Sequence, residues 1–78
     1  MKDFIEYLVK NIVSDPAKVE ITLKEGTEGT LIEIRVAPAD IGKVVGRGGK
    51  VIQSLRTISR SIGVRIGKKV HLEVMQGA

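Results

Sequence analysis

Cysteine is absent from this chain, so no disulfide staples it and no thiolate can hold a metal. His71 is its only histidine, and one imidazole does not make a metal cluster. Aromatic side chains are nearly absent too: Phe4 and Tyr7 are the only ones, both close to the N-terminus. That excludes an RNA-recognition-motif sheet, which stacks bases on strand aromatics, and any aromatic stacking platform for single strands. No apolar run nears the roughly 18 residues that a membrane span needs. The opening Met1-Lys2-Asp3-Phe4-Ile5-Glu6 is too acidic and too interrupted for a signal peptide. Ser54, Ser59 and Ser61 have no histidine within helical reach, so nucleophilic catalysis has no support, and nothing calls for a cofactor. The expectation is a cytoplasmic protein that is not an enzyme.

What is present fits a single folded domain over residues 1–78. The chain is 42% apolar with a formal net charge of +4, which argues against disorder. The average hides a split. Residues 1–40 net −3, whereas residues 41–78 net +7, with Glu73 as the sole acid of that second half. Basic residues gathered on a small domain repel one another unless a polyanion relieves them. The face they form is either solvated surface or a phosphate-binding surface.

Hydrophobic spacing orders the elements. Phe4, Ile5, Leu8, Val9 and Ile12 recur at helical intervals, and Ser14-Asp15-Pro16 is the expected end of that helix. Phe4 and Tyr7 are read as packing residues. Val19, Ile21 and Leu23 alternate with polar residues, as do Ile32, Ile34 and Val36 across Gly26-Thr27-Glu28-Gly29, which predicts a hairpin. Pro38-Ala39-Asp40 opens a short helix over Ile41–Val45, with Asp40 read as a carboxylate favouring the helix start. A longer helix begins at Lys50, carries Val51, Leu55, Ile58 and Ile62 as its apolar stripe, and is expected to be capped by Gly63. Val70, Leu72 and Val74 form the last strand, with His71 on its polar side. The order α-β-β-α-α-β predicts an α+β domain: a three-stranded mixed sheet with three helices on one face.

The segment Ile41-Gly42-Lys43-Val44-Val45-Gly46-Arg47-Gly48-Gly49-Lys50-Val51-Ile52 carries the functional signal. Two helices meet at a glycine turn, where missing side chains let a phosphodiester approach the backbone. The helix start adds partial positive charge, and Lys43, Arg47 and Lys50 surround the turn. A Walker A loop fails because Val44 and Val51 stand where it needs glycine and Ser or Thr. A dinucleotide fingerprint fails because residue 51 is not glycine and no strand precedes the loop. Helix–GxxG–helix remains, bracketed by Gly46 and Gly49.

This segment resembles the KH domain, and the element order is similar to its type II arrangement. From Val36 through Lys50, then Ile52 and Leu55-Arg56-Thr57-Ile58, the chain looks like the small bacterial stand-alone KH proteins of the KhpA or YlqC-like family. The resemblance implies binding of single-stranded RNA, with the GxxG loop clamping the phosphate backbone. It also implies a homodimer or a complex with a larger multi-domain KH protein, and work in post-transcriptional control, RNA chaperoning or cell-envelope growth. Ile41, Gly42, Lys43, Val44, Val45, Gly46, Arg47, Gly48, Gly49, Lys50, Ile52 and Arg56 are the expected RNA contacts. At least two of the aliphatic wall candidates Ile41, Val44, Val45 and Ile52 are expected in the core instead. Arg56 and Arg60 are either solvated or an extension of the phosphate track. The other reading of the chain is a protein-interaction module, dimerising through the longer helix along an arc from Ile62 through Val51 and Leu55 to Ile52.

Overall fold

In the computed structural model, residues 2–76 are described. Helix α1 (Lys2–Lys10) leads through a 3-10 turn at Pro16–Lys18 into the hairpin β1 (Glu20–Gly26) and β2 (Gly29–Val36). A second 3-10 turn, Pro38–Asp40, precedes α2 (Ile41–Val45), and the turn Arg47–Gly49 joins it to α3 (Lys50–Arg65); β3 (Val70–Gln76) closes the chain. The strand order is β1-β2-β3, with β1 antiparallel and β3 parallel to the central β2. The expected α+β architecture, three helices against one mixed sheet, is therefore the one observed.

Period-two alternation puts one row of aliphatics on the inner face. Ile21, Ile34 and Val74 stand side by side across the sheet, as do Leu23, Ile32 and Leu72. Ile5 and Val9 of α1, Val44 of α2, and Ile52 and Leu55 of α3 cover them. The outer face carries Glu20, Thr22 and Lys24 on β1, Leu31, Glu33 and Arg35 on β2, and His71, Glu73 and Met75 on β3. His71 is exposed there, as its strand position predicts. Glu33 is only 4% exposed at the middle of that face. Lys24 Nζ at 3.2 Å and Arg35 at 3.7 Å balance its charge, although neither meets Oε1 in hydrogen-bonding geometry.

Four expectations need correction. First, α1 ends at Lys10, well before Ser14: the Asn11 N–H is shared between Tyr7 O and Leu8 O at 3.3 Å, and the Ile12 N–H turns to Val9 O at 3.1 Å, a tightened last turn that closes the helix, with Asn11 Nδ2 also donating to Tyr7 O at 2.7 Å. Second, Phe4 and Tyr7 are exposed at 46% and 65%, since the buried face of α1 is the Ile5–Val9 ridge. Ile12, beyond the helix, is likewise exposed.

Third, the sheet-facing side of α3 is Ile52, Leu55, Ser59 and Gly63, while Val51, Ile58 and Ile62 are half-buried beside it. Ser59 is satisfied in that setting by donating to Leu55 O at 2.8 Å. Small residues are needed there because α3 closes on β3: a Cβ at Gly63 would lie 2.6 Å from both Lys68 O and Val70 Cγ2. Fourth, Gly63 is thus a close-approach residue inside the helix and not its cap. The cap is built at Gly67, which is left-handed at φ +73°. Its N–H reaches Val64 O at 3.2 Å while Lys68 N–H reaches Gly63 O at 2.8 Å, the paired bonds of a Schellman motif.

Candidate nucleic-acid interface

The loop between α2 and α3 owes its path to three left-handed glycines. Gly46 turns the chain at φ +79°, and a Cβ on it would fall 2.4 Å from Val51 Cγ2, so no side chain fits. Gly48 at φ +63° and Gly49 at φ +77° continue the turn, yet a Cβ on either would meet nothing within 4 Å. Packing dictates the first glycine; the other two leave bare backbone facing open space. Gly49 is the N-cap of α3 and supplies no side-chain bond, so the first amides of this 16-residue helix have no side-chain cap. The helix dipole favours an anion at that end. Arg47 and Lys50 flank the turn, both exposed and neither in an ion pair among the described residues.

The remaining expected contacts divide by burial. Gly42 is exposed, and Ile41 and Val45, one helical turn apart, are half-buried. Val44 is fully buried and Ile52 is 8% exposed. Both belong to the core under the loop and offer no groove wall, because each faces the sheet from its helix. Arg56 is half-buried, and its Nε donates to Leu72 O at 3.4 Å. β3 is an edge strand, and alternate residues along it point their backbone groups away from β2. Arg56 therefore reaches from α3 to the free edge of β3 and occupies one of its carbonyls. Arg60, one turn further along α3, is exposed.

Lys43 differs from the other two loop cations. Its Nζ lies 3.8 Å from Asp40 Oδ1 and hydrogen-bonds Ser14 Oγ. Asp40 itself is 1% exposed and makes no capping bond to α2. Instead Oδ1 accepts the N–H of Ser14 and Oδ2 that of Asp15, both at 3.0 Å. These bonds tie the α1–β1 connection to the base of α2. The Ser14 N–H foremost, then that of Asp15 and the Lys43 charge, holds the Asp40 carboxyl below the usual aspartate range, with burial opposing them. The expectation of a helix-start carboxylate is corrected accordingly. Partners 25 and 26 residues away gave no signal in the local sequence.

A concavity of about 800 Å³ lies elsewhere, between the β1–β2 turn and the α3–β3 connection. Glu25 and Lys68 pair across it at 2.9 Å. Among the described residues no three metal-ligating side chains cluster, and no helix is long and apolar enough to cross a membrane.

Comparison with known proteins places the loop in a family context. Residues 2–74 match the family model described as KhpA/KhpB, KH domain. The chain is 43% identical over 76 residues to the RNA-binding protein KhpA of Aquifex aeolicus, covering 97% of this chain and 96% of that protein. It is 42% identical over 76 residues to the RNA-binding protein KhpA of Chlamydia caviae, covering 97% of each. The RNA-binding protein KhpA of Clostridium perfringens is 32% identical over 75 residues, covering 96% of this chain and 100% of the relative.

Proposed function

The chain belongs to the KhpA/KhpB family of KH domains, which is not a family of enzymes, and from that premise we propose that it binds single-stranded RNA through the Gly46–Gly49 loop. One observation carries the reading: the backbone at Gly48 and Gly49 is bare and left-handed, at the start of α3, which has no side-chain cap, between Arg47 and Lys50, which pair with no anion among the described residues. A phosphodiester can approach this backbone without meeting a side chain, although the Gly49 N–H already donates to Gly46 O at 3.1 Å and the Lys50 N–H to Arg47 O. Arg47 and Lys50 neutralise phosphate charge. The half-buried Ile41 and Val45, with Gly42 between them, offer apolar contact to bases. Arg56 and the free edge of β3 provide polar groups for base edges. The protein acts in the cytoplasm, in post-transcriptional regulation or as an RNA chaperone.

The double variant Arg47→Asp/Gly48→Asp tests this. Both positions are exposed, and Gly48 has room for a side chain. The left-handed backbone at Gly48 adds a strain of roughly 1–2 kcal/mol. The variant should retain its far-UV circular dichroism and lose binding to a single-stranded oligoribonucleotide in a filter titration. Undiminished affinity would move the RNA site away from the loop.

A second reading, self-association or recruitment of a larger multi-domain KH protein, is favoured by apolar side chains left on the surface. Val64 is 79% exposed, Ile66 54% and Tyr7 65%. The arc first expected to mediate it is partly consumed, because Ile52 and Leu55 lie against the sheet. The end of α3, at Val64 and Ile66, takes its place. Linking two four-nucleotide sites raises apparent affinity through effective concentration, so the two readings are compatible.

A further inference from the structure

Lys43, Arg47 and Lys50 are three cations around one loop, yet among the described residues only Lys43 has an internal anion. Its partner, Asp40, has a side chain 2% exposed, and both carboxylate oxygens are fixed by the amides of Ser14 and Asp15. The carboxylate cannot swing away, and it faces Lys43 one helical turn along α2. Ser14 Oγ holds the same ammonium from the other side. A phosphate that approaches Lys43 therefore also approaches a fixed negative charge, and the attraction of the one is offset by the repulsion of the other. No such anion stands beside Arg47 or Lys50 among the described residues.

We infer that Asp40 is a positioning residue of the RNA loop: it retains Lys43 as its own counter-ion, so the loop presents two cations to phosphate and not three. This rests on the proposed RNA-binding reading, and it limits the strength of that binding. Single-stranded RNA contacts change log K by about −0.7 per log unit of salt for each phosphate neutralised. Two contacts give a slope of about −1.4, and three give about −2.1.

Filter titrations of a single-stranded oligouridylate between about 50 and 200 mM salt read this directly. Wild type is expected at a slope of about −1.4, with Lys43→Met indistinguishable from it. Asp40→Asn removes the fixed charge while keeping the side-chain shape, so Lys43 is released and the slope steepens to about −2.1. The combined Asp40→Asn/Lys43→Met variant should return to about −1.4. A residue that merely supports the fold would weaken binding without steepening the slope. A loss of about 0.7 in slope from Lys43→Met alone overturns the inference, as does an unchanged slope in folded Asp40→Asn. If circular dichroism shows Asp40→Asn unfolded, Lys43→Met in the wild-type background decides. Arg47→Ala separates the two levels. A slope that does not depend on Arg47, or no binding at all, overturns the RNA-loop reading together with this inference. Dependence on both Arg47 and Lys43 overturns this inference alone.

Discussion

Gly46→Ala and Gly48→Ala place the same methyl group on two left-handed glycines in one loop, and they should have different consequences. Both residues lie at positive φ, +79° and +63°; at Gly48, with ψ 20°, alanine carries a backbone strain of roughly 1–2 kcal/mol, whereas Gly46, with ψ 172°, sits in a region almost confined to glycine, where the strain is roughly 1–3 kcal/mol. Both also lose some freedom in the unfolded chain, worth about 0.4–1 kcal/mol in the stabilising direction, which cancels in the comparison. The surroundings differ. The methyl at residue 48 enters open space, whereas at residue 46 it would lie 2.4 Å from Val51 Cγ2 and 2.8 Å from the Val51 backbone nitrogen. The backbone nitrogen cannot rotate away, so the start of α3 must shift. Overpacking of this kind adds roughly 1–3 kcal/mol. A domain of this size has a total stability of only about 4–12 kcal/mol, so the extra term is a large share of it. Each kcal/mol is worth about 4–8 °C in Tm, so Gly46→Ala should melt about 4–24 °C below Gly48→Ala. Thermal unfolding followed by far-UV circular dichroism measures the difference. RNA affinity should fall in both variants, in Gly46→Ala because the shift moves α3 relative to α2 and in Gly48→Ala because the methyl covers backbone that a phosphodiester would approach. Equal melting temperatures, within about 2 °C, would refute the argument that Val51 packing dictates glycine at 46.

Gly63→Ala should destabilise the fold even though alanine gains about 1 kcal/mol in helix propensity, since its Cβ would meet Lys68 O and Val70 Cγ2 at 2.6 Å; a rise in Tm would refute the close approach of α3 to β3. Asp40 and Glu6 both titrate below their ordinary values, Asp40 through the Ser14 amide and Glu6 through its hydrogen bond with Lys10. Their stabilisation is complete above the unfolded values of about 4 and is lost as pH falls through the lower folded values. Tm should therefore drop on acidification below about pH 4, and Asp40→Asn should flatten that drop; an Asp40→Asn profile parallel to wild type would refute the assignment. Sedimentation equilibrium should detect a dimer that Val64→Asp/Ile66→Asp dissociates, whereas a clean wild-type monomer at about 100 μM would exclude self-association.

The parts of this molecule legible in its sequence are those whose cause is local. Strand alternation at Ile32, Ile34 and Val36 follows from a two-residue period, and the loop is spelled by Gly46, Gly48 and Gly49 within four residues. The aliphatic stripe that spacing predicts for α3, Val51, Leu55, Ile58 and Ile62, meets the buried face at Leu55 and elsewhere lies one position from it, at Ile52, Ser59 and Gly63. The helix turns smaller residues, Ser59 and Gly63, toward the strand it touches most closely. Hydrophobicity measures what a side chain gains by burial. It does not measure how near a neighbouring backbone must come, and at Gly63 the nearness decides.

The same limit explains Asp40 and Lys43. By charge alone Lys43 belongs with Arg47 and Lys50, since all three fall within eight consecutive residues. What removes it from that set is a carboxylate fixed by amides 25 and 26 residues away, a contact that exists only once α1, β1 and α2 are assembled. Counting cations along the sequence therefore overstates the charge this loop offers to phosphate. The free charge is set by which ammonium groups the fold has already neutralised, and the tertiary bonds of Asp40 make that selection.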